Sequence, residues 1–263
     1  MLTSLDGTWC LILGAASGMG RATAEAMASE GANIVGLHFG TADRQEEAAE
    51  LGAKLRASGV EAHLLNANAA SAATVGDVVD RVTELTAGVG LRMVLHSLAF
   101  GTLLPFLPVG SEAVNRRQMA MTLDVMAHSL IYWVQALFVA QMLPPGAKVF
   151  ALTSAGDQKV SGNYGAISAA KCALESHVRQ LAVELAPHGV AVNALRAGVT
   201  VTRSLQRIPE HAALIERARA NNPHGRLTRP EDVADAVVLL SRSESSWVTG
   251  NVIGVDGGEL LTA

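Results

Sequence analysis

The sequence predicts one α/β domain, a Rossmann fold built on a doubly wound parallel sheet of about seven strands. Three observations carry that prediction. Apolar runs of strand length alternate with segments of helical period from one end to the other. The strand-like runs are continuously apolar, as in strands covered on both faces. A glycine cluster follows the first of them directly. The chain has 263 residues, 49% hydrophobic and 17% charged, enough apolar material for a sizeable core and too much for disorder. Chains of ~250 residues in this class commonly stay a single domain.

Taken in order, Trp9 to Leu13 is a strand, the glycines follow, and a helix runs from about Gly20 to Glu30, closed by Gly31-Ala32. Asn33 to Phe39 is the second strand. The polar segment from Ala42 to Ser58 is a helix stopped by Gly59, and Ala62 to Leu65 is the third strand. A helix from Ala72 to Thr86 leads to strand four at Arg92 to Leu95. Met119 to Met142 reads as one long helix, Lys148 to Thr153 as strand five, Tyr164 to Ala186 as a helix and Ala191 to Leu195 as strand six. Thr228, Pro230 and Glu231 form a capping-box start for the last helix, and Val252 to Val255 is the last strand. The region 198–224 interrupts the alternation; it is either a substrate-binding lid or a plain surface excursion.

Composition excludes several classes of function. A formal charge of −4 is the wrong sign for a nucleic-acid surface. Cys10 and Cys172 lack metal spacing and read as reduced core residues of a cytoplasmic protein. Met1 to Asp6 is short and polar, with no secretory signal expected. Ser129 to Leu143 contains Gln135 and Gln141, stops at Pro144-Pro145, and is shorter than the ~18 apolar residues of a bilayer span; a buried or interface helix is expected, with no membrane partner. His96, His128 and His177 show no metal spacing, and no metal is expected.

The loop Gly14-Ala15-Ala16-Ser17-Gly18-Met19-Gly20 stands between a strand and a helix. Glycines let a backbone approach a pyrophosphate, and a helix start offers unpaired N–H groups. The ribose end is read at the tip of strand two. An acid there would favour NAD, but the chain offers His38-Phe39-Gly40-Thr41 with Asp43 and Arg44 beyond. Thr41 and Arg44 suit a 2′-phosphate, so NADPH is favoured and NADH stays open; the alternative for Arg44 is a solvated helix residue paired with a nearby Glu. Tyr164 and Lys171, with six residues between them, lie close to two helical turns apart and so share a face. A phenol beside an ammonium can stabilise oxyanion charge as a hydride arrives.

The spacing Gly-x-x-x-Gly-x-Gly resembles the short-chain dehydrogenase/reductase family, and nearly the whole chain fits its layout. Further resembling motifs are Asn193-Ala194, Gly198 and Val255-Asp256-Gly257-Gly258. The resemblance implies cofactor contacts from Gly14, Ser17, Gly18, Met19 and Gly20. It places Asn68 near adenine with Ala69 beside it, Ser97, Leu98 and Ala99 in the turn after strand four, and Thr202 at the nicotinamide end; Thr200 is either a cofactor contact there or a hydroxyl that caps the loop. Val199 replaces the proline usual in that last turn. It also implies a homotetramer built through the helices at 119–142 and 164–186.

The main family has Tyr-x-x-x-Lys, but Ser168 occupies that lysine position here. Tyr-x6-Lys resembles the enoyl-acyl-carrier-protein reductases, which reduce a C=C bond conjugated to a thioester. His96-Ser97-Leu98-Ala99-Phe100 and, loosely, Leu123 to Ser129 resemble that branch as well. Ser154, ten residues before Tyr164, marks a shortened loop that fits it too. Two features depart from the branch. Ser154 stands where many members carry a second tyrosine, and the glycine loop is closer to the main family. The resemblance implies catalysis by Tyr164, Lys171 and Ser154 on an acyl-carrier-protein or CoA enoyl thioester. A carbonyl, 3-ketoacyl or hydroxysteroid oxidoreductase is the second reading, and a cofactor-sensing regulator without turnover the third.

Overall fold

In the computed structural model, which describes residues 2–110, 112–208 and 211–262, seven parallel strands stand in the order β3-β2-β1-β4-β5-β6-β7. They are β1 (Trp9–Leu13), β2 (Asn33–His38), β3 (Ala62–Asn66), β4 (Met93–His96), β5 (Lys148–Ser154), β6 (Ala191–Ala197) and β7 (Val252–Val255). The helices are α1 (Gly18–Ser29), α2 (Ala42–Ala57), α3 (Ala72–Leu85), α4 (Arg116–Leu123), α5 (Ser129–Val139), α6 (Gly165–Leu185), α7 (Arg203–Gln206), α8 (His211–Asn221) and α9 (Pro230–Ser241). The winding reverses between β1 and β4, the switch point where open α/β sheets bind ligands.

Because the strands are short and mostly apolar, both faces must be covered. Val78, Val82, Leu130, Trp133, Leu174 and Val178, from α3, α5 and α6, cover one face. Ala24, Met27, Leu51, Leu55, Val233 and Val237, from α1, α2 and α9, cover the other. Parallel register brings every strand's C-terminal end to one edge: Leu13 stands opposite Leu37 and His96, His38 opposite Asn66, and Ser154 opposite Ala197. That edge carries the site.

Several expectations are corrected at the element ends. The expected helix at 119–142 begins at Arg116, where Asn115 and Gln118 form a true capping box: the Asn115 side chain accepts from the Gln118 N–H, and the Gln118 side chain accepts from the Asn115 N–H. It passes through a π turn at Asp124–His128 and stops at Val139, with Gln141 in the left-handed region at φ 59°. This 24-residue segment is long and apolar enough to cross a membrane by length and composition, but part of it is buried on the sheet and α6. Thr228 does not cap the last helix. Arg229 holds that position, and its N–H donates to Asp232 Oδ2 at 2.7 Å. Phe39 falls outside β2 and is exposed. Cys10 is buried as expected, but Cys172 is not a core residue: it lies on the exposed side of α6. The irregular region at 198–224 contains α7 and α8, with Pro209 and Glu210 outside the described residues.

Trp133 ties the two halves of the sheet together. Its fully buried indole N–H donates to the Ala69 carbonyl at 2.8 Å, joining α5 to the turn after β3. Trp133→Phe leaves that carbonyl unpaired, and the expected loss of stability is about 1–3 kcal/mol plus a cavity contribution. Urea unfolding at fixed protein concentration measures it; an unchanged midpoint would mean that water or a shifted donor replaces the indole.

Candidate active site

The loop from β1 to α1 is shaped by packing before any ligand is considered. Gly14 (φ 93°) lies so close to the β4 turn that an added Cβ would stand 2.6 Å from the Ser97 carbonyl oxygen. At Gly20 a Cβ would collide with the Gly14 carbonyl. Gly18 differs: its φ of 53° demands glycine, yet the space beside it is open as far as the Thr202 methyl at 3.4 Å. Ser17 precedes α1 without capping it, and the first turn carries no acidic residue. Free N–H groups at a helix start beside an uncluttered glycine fit a pyrophosphate.

Along the same edge, Thr41 precedes α2 with no side-chain cap. Arg44 folds back over Gly40, its Nη1 donating to the Phe39 carbonyl at 3.3 Å. Among the described residues no carboxylate sits at the β2 tip and Arg44 makes no ion pair, acting on Glu47 only as a nearby charge. Asn68 uses its side chain locally, accepting from the Ala70 N–H at 3.0 Å, while buried Ala69 meets Trp133. One ion pair reaches across this end of the cleft: Arg203 of α7 donates to both carboxylate oxygens of Glu47 on α2, one at 2.8 Å.

The remaining expected residues converge on one cavity of about 280 Å³. Met19, Ser97, Leu98 and Ala99 line it from the β1 and β4 turns, Ser154, Tyr164 and Lys171 from β5 and α6, and Gly198, Thr200 and Thr202 from the turn after β6. Leu103, Met126 and Ile167 form an apolar wall beside the Tyr164 ring. Met126 belongs to the π turn, a device that re-aims side chains at functional sites. Lys159, Arg207 and Arg217 stand at the cavity's outer part. The Thr202 hydroxyl also caps α7, accepting from the Leu205 N–H at 3.2 Å, and Thr200 Oγ1 donates to the Gly198 carbonyl at 2.9 Å.

Tyr164 is the residue before α6, not its first turn, and its Oη lies 3.5 Å from Ser154 Oγ. Burial raises the phenol's pKa and Ser154 partly offsets this, so the phenol is a proton-bearing donor at neutral pH. Lys171 Nζ donates to the Leu152 carbonyl at 2.7 Å. Burial pulls its pKa down to about 8, against the upward pull of the Glu175 carboxylate one turn on.

Three features escaped the sequence reading. His96 is fully buried at the end of β4, its Nε2 2.8 Å from Ser129 Oγ. The same hydroxyl lies 2.8 Å from the Val125 carbonyl, and His96 Nδ1 is buried without a hydrogen-bond partner. Burial first and the Lys171 charge second pull this imidazole down to about 3, so it is neutral. Second, Arg196 of β6 donates through Nη2 to Asp157 Oδ2 at 2.8 Å and to Glu175 Oε1 at 3.4 Å, and Glu175 Oε1 also accepts from Thr153 Oγ1 at 2.8 Å. One buried guanidinium thus ties the loop holding Ser154 and Tyr164 to both β6 and α6. Third, His128 and His177 face each other at 3.0 Å outside this site. Among the described residues no group of three or more His, Cys, Asp or Glu side chains gathers as a metal site.

The charges facing Lys171 are Glu175 on its own helix and, across from it, neutral His96, with Arg196 and Asp157 beyond Glu175. Glu175→Gln keeps the acceptor for Thr153 and removes the charge that favours the ammonium. The Lys171 pKa then falls further below its ordinary value, and the alkaline limb of kcat/KM moves to lower pH. A limb unmoved in a folded variant would show that another group titrates there.

Residues 14–259 match the family model described as "Enoyl-(Acyl carrier protein) reductase". The galactitol 2-dehydrogenase (L-tagatose-forming) of Cereibacter sphaeroides is 31% identical over 258 residues, covering 97% of this chain and 95% of that protein. The enoyl-[acyl-carrier-protein] reductase (NADH) of Aquifex aeolicus is 33% identical over 168 residues, 64% of this chain and 62% of that one. The crystal structure of the Aquifex aeolicus reductase superposes with a TM-score of 0.87 at 25% identity over 98% of both chains. A short-chain dehydrogenase of Burkholderia cenocepacia, solved in complex with NADP, gives a TM-score of 0.82 at 25% identity over 98% of this chain and 100% of that one. A reductase named for NADH and a dehydrogenase holding NADP both support a nicotinamide cofactor for the cleft described above. The chain is an oxidoreductase of the short-chain dehydrogenase/reductase superfamily, with similarity to its enoyl-acyl-carrier-protein reductases.

Proposed function

We propose that this protein uses NADPH to reduce the C=C bond of a 2-enoyl thioester carried on acyl carrier protein or CoA. The observation that carries the reading is Tyr164, placed ahead of α6 with six residues between it and Lys171, and with its ring against the apolar wall of Leu103, Met126 and Ile167. An acyl chain fits such a wall, whereas a polyol would leave its hydroxyls unpaired there. Lys159, Arg207 and Arg217 give the outer cavity the positive charge that a phosphate-bearing carrier arm would meet. The residues at the cleft suit the dinucleotide: Gly18 and the start of α1 for its pyrophosphate, Thr41 and Arg44 for a 2′-phosphate, and Lys171 with Thr200 and Thr202 for its nicotinamide end. Bound there, it supplies the hydride.

Hydride arriving at the β-carbon leaves an enolate whose thioester oxygen accepts a hydrogen bond from the Tyr164 phenol, and the saturated product forms when the α-carbon then takes up a proton that originates in solvent and the C=O re-forms. The phenol's raised pKa keeps its proton in place, and Lys171 lowers the cost of partial phenolate character. Ser154, 3.5 Å from the phenol oxygen, holds the hydroxyl's orientation. The closing Leu205, Ile208 and Leu214 of the α7–α8 region keep water from the reacting carbons, which is the role we assign to that region as a lid. One observation favours a second reading, reduction of a ketone. Ser154 stands where a second tyrosine is usual in enoyl reductases, and a Ser–Tyr pair can orient a carbonyl oxygen.

We also propose a homotetramer. Tyr132, Phe138, Val139 and Val183 leave exposed apolar surface on α5 and α6, and Leu239, Trp247, Val248 and Leu261 leave more near α9 and β7. Two separate patches suit the two self-complementary interfaces of a dihedral assembly.

Tyr164→Phe is expected to lower turnover of crotonyl thioester ~10²–10³-fold with NADPH affinity nearly intact, the usual cost of one lost oxyanion donor. Lys171→Ala is expected to damage both. Wild-type protein that ignores crotonyl thioester but reduces a 3-ketoacyl thioester or ketosteroid through Tyr164 would establish the second reading. For cofactor choice, Arg44→Ala should raise the KM for NADPH more than that for NADH; equal effects would make Arg44 a surface residue.

A further inference from the structure

The turn after β6 lacks the proline that stiffens it in the resembling family, yet it is held. Val199 keeps an N–H that proline would not have, and donates it to Glu259 Oε2 at 3.0 Å. We propose that Glu259 is a positioning residue for the nicotinamide-side turn, holding Gly198 to Thr200 from the C-terminal segment in place of that proline. The inference rests on the dinucleotide-cleft assignment and not on the choice between enoyl and ketone substrates.

The carboxylate is presented by a built turn. Asp256 Oδ1 accepts from the Gly258 N–H at 2.9 Å and Oδ2 from the Leu260 N–H at 3.1 Å. The Glu259 N–H closes on the Asp256 carbonyl at 3.1 Å, and Asn222 Nδ2 donates to that same carbonyl at 2.8 Å. Gly198 is enclosed on the other side: its N–H donates to the Val255 carbonyl at 3.2 Å, and an added Cβ would collide with Thr228 and stand 2.8 Å from Glu259 Oε2. The half-buried Glu259 lines the same cavity as Val199, Thr200 and Tyr164. Proline would set φ and delete the donor; here a charged acceptor takes up the donor and restrains the same peptide from outside.

The test is the affinity of the full chain for NADPH, read by fluorescence titration, with folding checked by circular dichroism. Glu259→Ala is expected to weaken binding about tenfold, the scale of a lost hydrogen bond to a charged group. Glu259→Gln, which retains an acceptor at the same reach, should stay within about threefold of wild type for the same reason. Val199→Pro in the Glu259→Ala background should recover most of the loss. A purely structural role for Glu259 would lower unfolding stability and leave affinity unmoved. Unchanged affinity in folded Glu259→Ala overturns the proposal, as does a double variant that binds no better than Glu259→Ala. Should Glu259→Ala not fold, Val199→Pro alone decides: affinity near wild type supports the proposal, and a tenfold loss overturns it. Wild-type protein that binds neither NADPH nor NADH would instead overturn the cleft assignment, before any variant is made.

Discussion

Parallel strand register is the constraint from which the site follows. Strands of four to seven residues, most of them apolar and all pointing one way, deliver their C-terminal ends to a single edge. Loops that are far apart in the chain then meet there. Gly14 abuts Ser97 because β1 and β4 are neighbours, and Ser154 stands beside Ala197 because β5 and β6 are. The switch between β1 and β4 leaves a crevice that no crossover helix fills. Two of the three loop glycines serve that convergence by close packing, and Gly18 serves the left-handed turn into α1 while leaving open space beside it.

Electrostatics at the edge is dominated by desolvation. Lys171 and His96 are buried close to one another, and both lose basicity for that reason first. A neutral imidazole beside an ammonium avoids a second buried positive charge. Glu175 offsets part of the cost for Lys171, but it is shared with Arg196, which also holds Asp157. Removing one member of such a buried cluster leaves another charge uncompensated, which costs more than the intact cluster contributes. The cluster therefore reads as a device for fixing the position of the 155–164 loop rather than as a source of stability.

The parts of the structure visible in the sequence were those with a periodic or steric signature. Alternating apolar runs marked all seven strands to within a residue or two, and the glycine loop and Tyr-x6-Lys marked two sides of the site. What stayed hidden depends on contacts across the sheet. Nothing local distinguishes Arg196 in an apolar strand, Glu175 on a helix or Glu259 near the C-terminus, because their partners lie 21 to 60 residues away. The Asn115-x-x-Gln118 box was a readable signal for the start of α4; the apolar run beginning at Met119 outweighed it. The π turn has no signature in composition, and Cys172 was misplaced because an apolar helix pattern was read as buried although the helix has a solvent side.

The Tyr-x6-Lys spacing sets a geometric problem that the loop must solve. Seven residues of continuous helix would separate two Cα atoms by about 10 Å along the axis, too far for a phenol and an ammonium to serve one oxygen unless one side chain turns back. Tyr164 stands just outside the helix, as its N-cap. Asn163 takes the left-handed region at φ 59°, Tyr164 adopts φ −96° and ψ 0°, and α6 begins only at Gly165. The ring direction is then set by the loop, against Gly156, where a Cβ would strike the ring, and beside Ser154. Gly165 has its own reason to be small, since a Cβ there would press 2.9 Å or closer on the Phe106 ring. A tyrosine aimed by a loop needs that loop pinned, and the Asp157–Arg196 pair pins it to β6, the strand that leads directly into the turn from Gly198 to Thr200. The Tyr164 phenol and the turn from Gly198 to Thr200 opposite it are thus referenced to one strand.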